Sequence, residues 1–279
     1  MNPRPAVTDR TRTPSSGRKV PGYFALTFAI SWSGALVVVA PHLLHGQPVP
    51  KLAGILMFPV MLLGPVFSGV LFSAIDGAGV RALFRRITLP FPPRWLTVLL
   101  IPPALIAAVL GILTLMISRV YAPNNFVLGL SFGIAAGFLE EIGWTGYAFP
   151  AMKQRQNAFR ASILLGILWS LWHLPVIDYL GTATPHGSAW TAYFLAFAAA
   201  MTAMRVIICW VYANTGSLLL AQLLHTVSTG SLVVLSPPRV GATQEAGWYL
   251  AYAAAVWLLV LFLLRTFGVD LRPNPTPSQ

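Results

Sequence analysis

GFLEEIGWTGYAF, residues 137–149, is an apolar run interrupted by two adjacent carboxylates, Glu140 and Glu141. Whether this run lies in lipid decides the fold. The chain has 7 acidic residues in 279, and a charge at the centre of a bilayer-spanning helix costs about 3 kcal/mol on insertion scales. Two neighbouring charges in such a place point to a function.

The rest of the chain says that the run does lie in lipid. Hydrophobic residues make up 56% and charged residues 9%, with a mean hydropathy of +0.72; a soluble domain carries about 25% charged residues. No barrel-like alternation is present, so the expected fold class is all-α, a polytopic membrane helix bundle. Apolar runs at 23–44, 52–75, 95–118, 126–149, 160–180, 189–211, 214–235 and 246–265 predict about eight transmembrane helices. They form a single bundle over 21–267. The first run is too long for a signal-peptide core and is read as an uncleaved span. Residues 1–20, rich in Pro, Ser, Thr and Arg, read as a disordered basic tail, and 268–279 as a short polar one.

The net charge of +11 does not indicate a nucleic-acid partner, because the basic residues are placed as topology signals. Arg4, Arg10, Arg12, Arg18 and Lys19 precede the first span. Arg81, Arg85, Arg86 and Arg94 fill the second loop, and Lys153, Arg155 and Arg160 the fourth. The alternate loops offer Lys51, Arg119 and Arg239. The positive-inside rule then predicts a multi-pass protein of the cell membrane with N- and C-termini cytoplasmic. The lipid bilayer is its first partner. RALFRRITLPFPPRW, residues 81–95, is expected to lie along the cytoplasmic interface. Cys209, the single cysteine, excludes an intrachain disulfide and a cysteine-rich metal site.

Three spans carry ionisable groups near their middles: Glu140 and Glu141 in the fourth, His173 in the fifth and His225 in the seventh. Each lies about a dozen residues, roughly 18 Å, from the cytoplasmic end of its span. One shared site requires that common depth. Gly133, Gly137, Glu140 and Trp144 share a helix face, and the glycine pair has the small-xxx-small spacing of close helix approach. Ser217, Ala221, Gln222, His225, Ser228 and Thr229 form a stripe on the seventh span; Gly166, Trp169, Ser170 and His173 line up on the fifth. Singly, each histidine reads as a hydrogen-bonding staple and the glutamates as a proton or cation relay. Together, two Glu and two His at one depth are the composition of a water-activating hydrolytic site. Trp144, Trp169 and Trp172 read as packing residues, and His42, His45 and His186 as interfacial.

EEIGWTGY, LWSLWHLP and NTGSLLLAQLLHTVST resemble the three motif regions of the CPBP family, the type II CAAX prenyl endopeptidases and bacteriocin-processing or immunity (ABI) proteins. The resemblance covers about residues 125–235. The family motif EExxxR is met by Glu140 and Glu141, with Thr145 at the arginine position. Its second motif, an aromatic residue four before a histidine, is met by Trp169 and His173. Its third, HxxxN after TGSL, is met by Thr215 to Leu218 and His225, with Thr229 at the asparagine position.

This resemblance implies hydrolysis of a peptide or membrane-protein substrate inside the membrane, in a cavity open to the cytoplasm. Glu140 is the expected general base, and His173 orients the water. His225 and Thr229 face the oxyanion, and Glu141 positions its partner and holds helices together. Ser228 and Gln222 are further candidates at the oxyanion position. The metalloprotease label of the family implies an alternative in which Glu141, His173 and His225 hold Zn2+ with one position open for water. No HExxH helix is present, and zinc and a metal-free glutamate mechanism both stand at this stage. A non-catalytic family member that binds a peptide in the same cavity, as an immunity or scaffold protein, is the rival reading. A transporter is the third, against which the chain shows no pair of broken helices in matching halves.

Overall fold

The computed structural model describes residues 16–77 and 79–273. Eight long helical segments follow one another: α1 (Ser16–Leu44), α2 (Lys51–Ile75, bent at Leu62), α3 (Pro93–Met116), α4 (129–153), α5 (Ala158–Trp172), α6 (Trp190–Thr215), α7 (Leu218–Leu235) and α8 (Ala242–Phe267). Among the described residues there is no β-strand.

The distribution of side chains is that of a protein in lipid. Leu115, Val37 and Leu258 are 80%, 72% and 68% exposed, whereas Glu140, Glu141, Arg205 and Glu245 are fully buried. Water would penalise both halves of that pattern. A bilayer accepts the apolar outside and drives the polar groups to the centre, where they satisfy one another.

Six of the eight segments are long and apolar enough to cross a membrane. The other two expected spans, α4 and α5, are helices that fall short of that standard, and both carry the site. In α4 an α-helix (Gly129–Gly143) passes through a π-helical turn (Trp144–Ala148) into a last α-turn (Phe149–Lys153). At 15 residues, α5 is about 22 Å long, less than the roughly 30 Å hydrocarbon core. It ends at Trp172 with His173 as its C-cap, and the chain continues through turns, one short helical turn (Ile177–Leu180) and a 3-10 turn (Gly187–Ala189).

Alternating helix directions leave the bundle with two distinct ends. At one, Lys19 pairs with Asp76 at 2.9 Å and Tyr147 donates to the same carboxylate at 2.8 Å. The basic stretches 81–94 and 153–160 lie here; Val80–Arg85 is a short helix. At the other end Lys51 Nζ reaches the Thr182 carbonyl at 3.4 Å, and the Asn124 N–H donates to the Leu235 carbonyl at 3.3 Å. Residues 1–15 of the expected N-terminal tail and 274–279 of the C-terminal one lie outside the described residues. Residues 16–20, expected within that tail, open α1.

α4 packs closely along α7, while α6 packs against α5 and α8. The α4–α7 seam needs its glycines. A Cβ on Gly133 would stand 2.3 Å from the Thr226 carbonyl oxygen, and one on Gly137 2.5 Å from that of Gln222. Here the backbones touch, as the small-xxx-small spacing predicts.

Candidate active site

Local sequence explains how the site residues are placed. At Thr215-Gly216-Ser217-Leu218, Gly216 adopts φ +66° and ends α6 in a left-handed turn, which costs little without a Cβ. Ser217 then caps α7 by accepting from the Leu220 N–H at 3.3 Å. This corner sets the register that brings His225 to face α4. On α4 the π-turn begins directly after the glutamates, and π-turns are frequent at functional sites. Its Gly146 carbonyl is taken by Arg86 Nη1 at 2.7 Å, so the basic loop is anchored into the bundle by a residue expected only at the interface.

The two carboxylates have different surroundings. Glu141 is saturated: Arg205 Nη1 lies 2.7 and 2.9 Å from its oxygens, His225 Nδ1 is 2.7 Å from Oε1, and the Thr145 hydroxyl donates to Oε2. Glu140 Oε2 accepts from the indole N–H groups of Trp144 at 3.0 Å and Trp169 at 2.6 Å. Glu140 Oε1 is buried and has no partner within the protein. Trp144 and Trp169, expected as packing residues, therefore hold the carboxylate; Trp172 packs, as expected.

Each histidine is oriented through one ring nitrogen. His173 Nδ1 is 2.8 Å from the Trp169 carbonyl. A carbonyl only accepts, so Nδ1 carries the proton and Nε2 of the neutral ring is left as an acceptor. His225 Nδ1 donates in the same way to the arginine-paired carboxylate of Glu141, again leaving Nε2. The ring of Trp169 stands between them, with centroids 5.5 Å from His173 and 5.1 Å from His225. The Arg205 guanidinium lies 4.1 Å over that same ring, a cation–π contact.

Glu140, Trp169, His173, His225 and Thr229 line one pocket of about 60 Å³, together with Phe58, Ala136, Phe197 and Met201. Glu141 is not part of the lining. Phe132, Leu180, Leu232, Val233 and Tyr249 belong both to this pocket and to a larger cavity of about 480 Å³. The larger one is rimmed by Lys51, Asn124, Phe126, Thr182, Ser236 and Pro238. The five expected site residues are thus gathered, four at the cavity base and Glu141 behind it. Gln222 and Ser228 are not among the lining residues; Gln222 Nε2 instead donates to the Phe138 carbonyl at 2.9 Å and staples α7 to α4.

Of the zinc set drawn from the sequence, Glu141 is held by Arg205, Thr145 and His225, and His173 lines the pocket on the side of Glu140. A cation placed on Glu141 would meet the guanidinium. Among the described residues, no three His, Cys, Asp or Glu side chains are arranged to hold a metal ion.

Two groups escaped the sequence reading. Arg205, fully buried in the middle of α6, does for Glu141 what a motif arginine at position 145 would do, from a different helix. Its signal was plain: an ionisable residue inside AMTAMRVIICW meets the same criterion that singled out the glutamates. His186, expected at the interface, is instead 1% exposed. It lies between Asp178 (Nδ1, 2.5 Å) and Glu245 (Nε2, 3.1 Å) and stacks on Tyr193 at 3.7 Å. His45, by contrast, is exposed at its helix end.

Residues 122–230 match the family described as type II CAAX prenyl endopeptidase Rce1-like. The protein named CAAX prenyl protease 2 of Methanococcus maripaludis is 34% identical to this chain over 140 residues, 48% of this chain and 51% of that protein. The chain therefore spans about half the length of the curated relative it matches.

Proposed function

We propose, for a chain whose 122–230 core belongs to the type II CAAX prenyl endopeptidase Rce1-like family, an intramembrane endopeptidase in which Glu140 activates the water. The observation that carries this reading is the asymmetry of Glu140. One oxygen is fixed by two indoles, and the other is buried, without a protein partner, on a residue that lines the cavity base. A carboxylate held this way is oriented yet still able to accept a proton.

In the reaction, Glu140 Oε1 takes a proton from a water that His173 Nε2 orients, and the water oxygen bonds to the scissile carbonyl carbon. The carbonyl oxygen gains charge facing the Thr229 hydroxyl, which donates to it beside the ring of His225. As the C–N bond breaks, the proton on Glu140 passes to the leaving amine, which restores the carboxylate. Glu141, Arg205 and Thr145 act as positioning residues, through His225 and Trp169. No step runs through a metal.

The test is hydrolysis of a randomised peptide library by protein purified in detergent, in water enriched in oxygen-18. Each new C-terminal carboxylate should carry one solvent oxygen. Peptides retained but never cut would support the rival reading, a non-catalytic peptide binder, for which Thr229 at the asparagine position speaks.

A further inference from the structure

At the basic end of the bundle, two cations are gathered around one pocket. α4 stops there at Lys153, α6 at Thr215 and α8 at Phe267, and α7 starts at Leu218. The pocket, about 290 Å³, is lined by Lys153 and Arg272 together with Phe149, Pro150 and Tyr212. It shares no lining residue with the cavities at Glu140. Arg272 is held in place by a turn that follows α8. Within it Leu271 takes φ +55° with its side chain fully buried, a conformation that leucine keeps only where its surroundings impose it. Here Asn214 Nδ2 donates to the Leu271 carbonyl at 2.7 Å, and the Phe159 N–H to the Val269 carbonyl at 2.9 Å. Arg272 Nε donates to the Ala213 carbonyl at 2.6 Å, which fixes the guanidinium and leaves its terminal Nη donors for the pocket.

We infer that this pocket binds a phosphate group, and that the group is the headgroup phosphate of an anionic phospholipid. Among the described residues, neither Lys153 nor Arg272 forms an ion pair with a carboxylate. Partial burial and the like charge of Arg272 lower the pKa of Lys153, which lies beyond the apolar run ending at 149, and Asp270 offsets them only in part. An anion between the two cations relieves both costs. The helix-end carbonyls that would repel it are occupied, that of Ala213 by Arg272 and that of Trp210 by Asn214. A guanidinium fork and an ammonium suit phosphate oxygens. The position at the ends of three spans suits a lipid source, since basic pockets between transmembrane helices hold phospholipid headgroups. Phe149, Pro150 and Tyr212 offer the glycerol an apolar wall. Bound there, the phosphate ties the last turn of α4 to the turn after α8. The inference does not depend on the protease reading.

The test is binding of phosphatidylglycerol to the full-length protein in detergent, counted by native mass spectrometry over a lipid titration. Phosphatidylcholine and inorganic phosphate are titrated in parallel. Lys153→Gln/Arg272→Gln is compared with Arg155→Gln/Arg160→Gln, which removes the same charge from exposed positions of the same end that do not line the pocket. The wild type should take up phosphatidylglycerol in preference to phosphatidylcholine, and its thermal midpoint should rise with occupancy. At about fivefold per cation, Kd should rise about 30-fold in the pocket variant and by less than about fivefold in the charge-matched one. Because Arg272→Gln also loses the bond to Ala213, Lys153→Gln alone is measured as well; it should weaken binding about fivefold with its lipid-free midpoint near that of the wild type. Equal weakening in the two double variants, or none in Lys153→Gln, would overturn the site. A midpoint shift with inorganic phosphate that depends on Lys153, without uptake of phosphatidylglycerol, would overturn the lipid assignment.

Discussion

Two buried clusters of carboxylate and histidine stand one above the other in this bundle, and they differ in what they leave free. Near the mouth, His186 spends both ring nitrogens on Asp178 and Glu245. Glu245 spends both oxygens on the N–H groups of Thr182 and Ala183 and on His186. Nothing is left over, and the cluster serves to tie the irregular stretch after α5 to the start of α8. At the cavity base each histidine spends only Nδ1, and Glu140 keeps one oxygen unpaired. Residue types are nearly the same in both places. A closed network is architecture; an open one, beside a cavity, is where chemistry can occur.

The sharpest way to break this contrast is to open the closed part of the lower cluster. Arg205→Met removes the guanidinium and leaves Glu141 buried with its charge uncompensated, a loss of about 3–5 kcal/mol of stability, read by denaturation in detergent. Cleavage should fall with it, because His225 loses its fixed partner. Adding Thr145→Arg to Arg205→Met returns a cation from one turn away on α4 and should recover part of both losses. Thr145→Arg in the wild-type background buries a second cation and should destabilise. A double-mutant cycle that shows no coupling between 145 and 205 would mean that Arg205 does not stand in for the motif arginine.

A smaller effect is expected from the upper cluster. His186→Gln should cost about 1–3 kcal/mol and shorten the lifetime of the mouth, with little change in the rate per folded molecule. Burial lowers the basicity of His186, but its bonds to Glu245 and Asp178 outweigh this and hold its pKa above the ordinary value. The folded state then binds the proton more tightly than the unfolded one. The stabilisation is complete below about pH 6.5 and is lost as the pH rises through the raised folded value. Thermal midpoints of the wild type should fall over that interval, and those of His186→Gln should not.

The mildest expected change is a gain. Thr229→Asn places an amide donor where a hydroxyl now faces the oxyanion, and turnover should rise. One such donor is worth about 3–4 kcal/mol in a well-studied hydrolase, so even a fraction of that is measurable in kcat. Unchanged kcat with altered KM would place residue 229 in substrate binding instead.

How much of this was legible beforehand follows from what kind of signal each residue leaves. Helices and their order are written in runs of apolar residues, and Glu140, Glu141, His173 and His225 stand out against those runs by charge and depth. Arg205 stands out by the same measure, although it lies outside the three motif regions and its pairing with Glu141, 64 positions away, forms only on folding. The use of Trp144 and Trp169 as donors to Glu140 leaves no trace in the sequence, since a packing indole and a donating indole read alike. The same is true of His186, whose partners Asp178 and Glu245 are 8 and 59 positions away and meet only after folding. Two spans depart from the expected standard, α4 through its π-turn and α5 through its early end at Trp172. Those departures are the local irregularities by which the site is built.

The central claim concerns the free oxygen of Glu140. Glu140→Gln keeps the size of the side chain and an oxygen for the indoles, but removes the proton acceptor. The rate of peptide-library cleavage by purified, chelator-treated protein, measured beside that of Glu140→Gln, tests the claim most directly. The expected result is cleavage by the chelated wild type and a loss of about 10²–10⁴-fold in the variant, with thermal midpoints close together. Undiminished cleavage by Glu140→Gln, or cleavage that stops on chelation and returns only with added Zn2+, would contradict it.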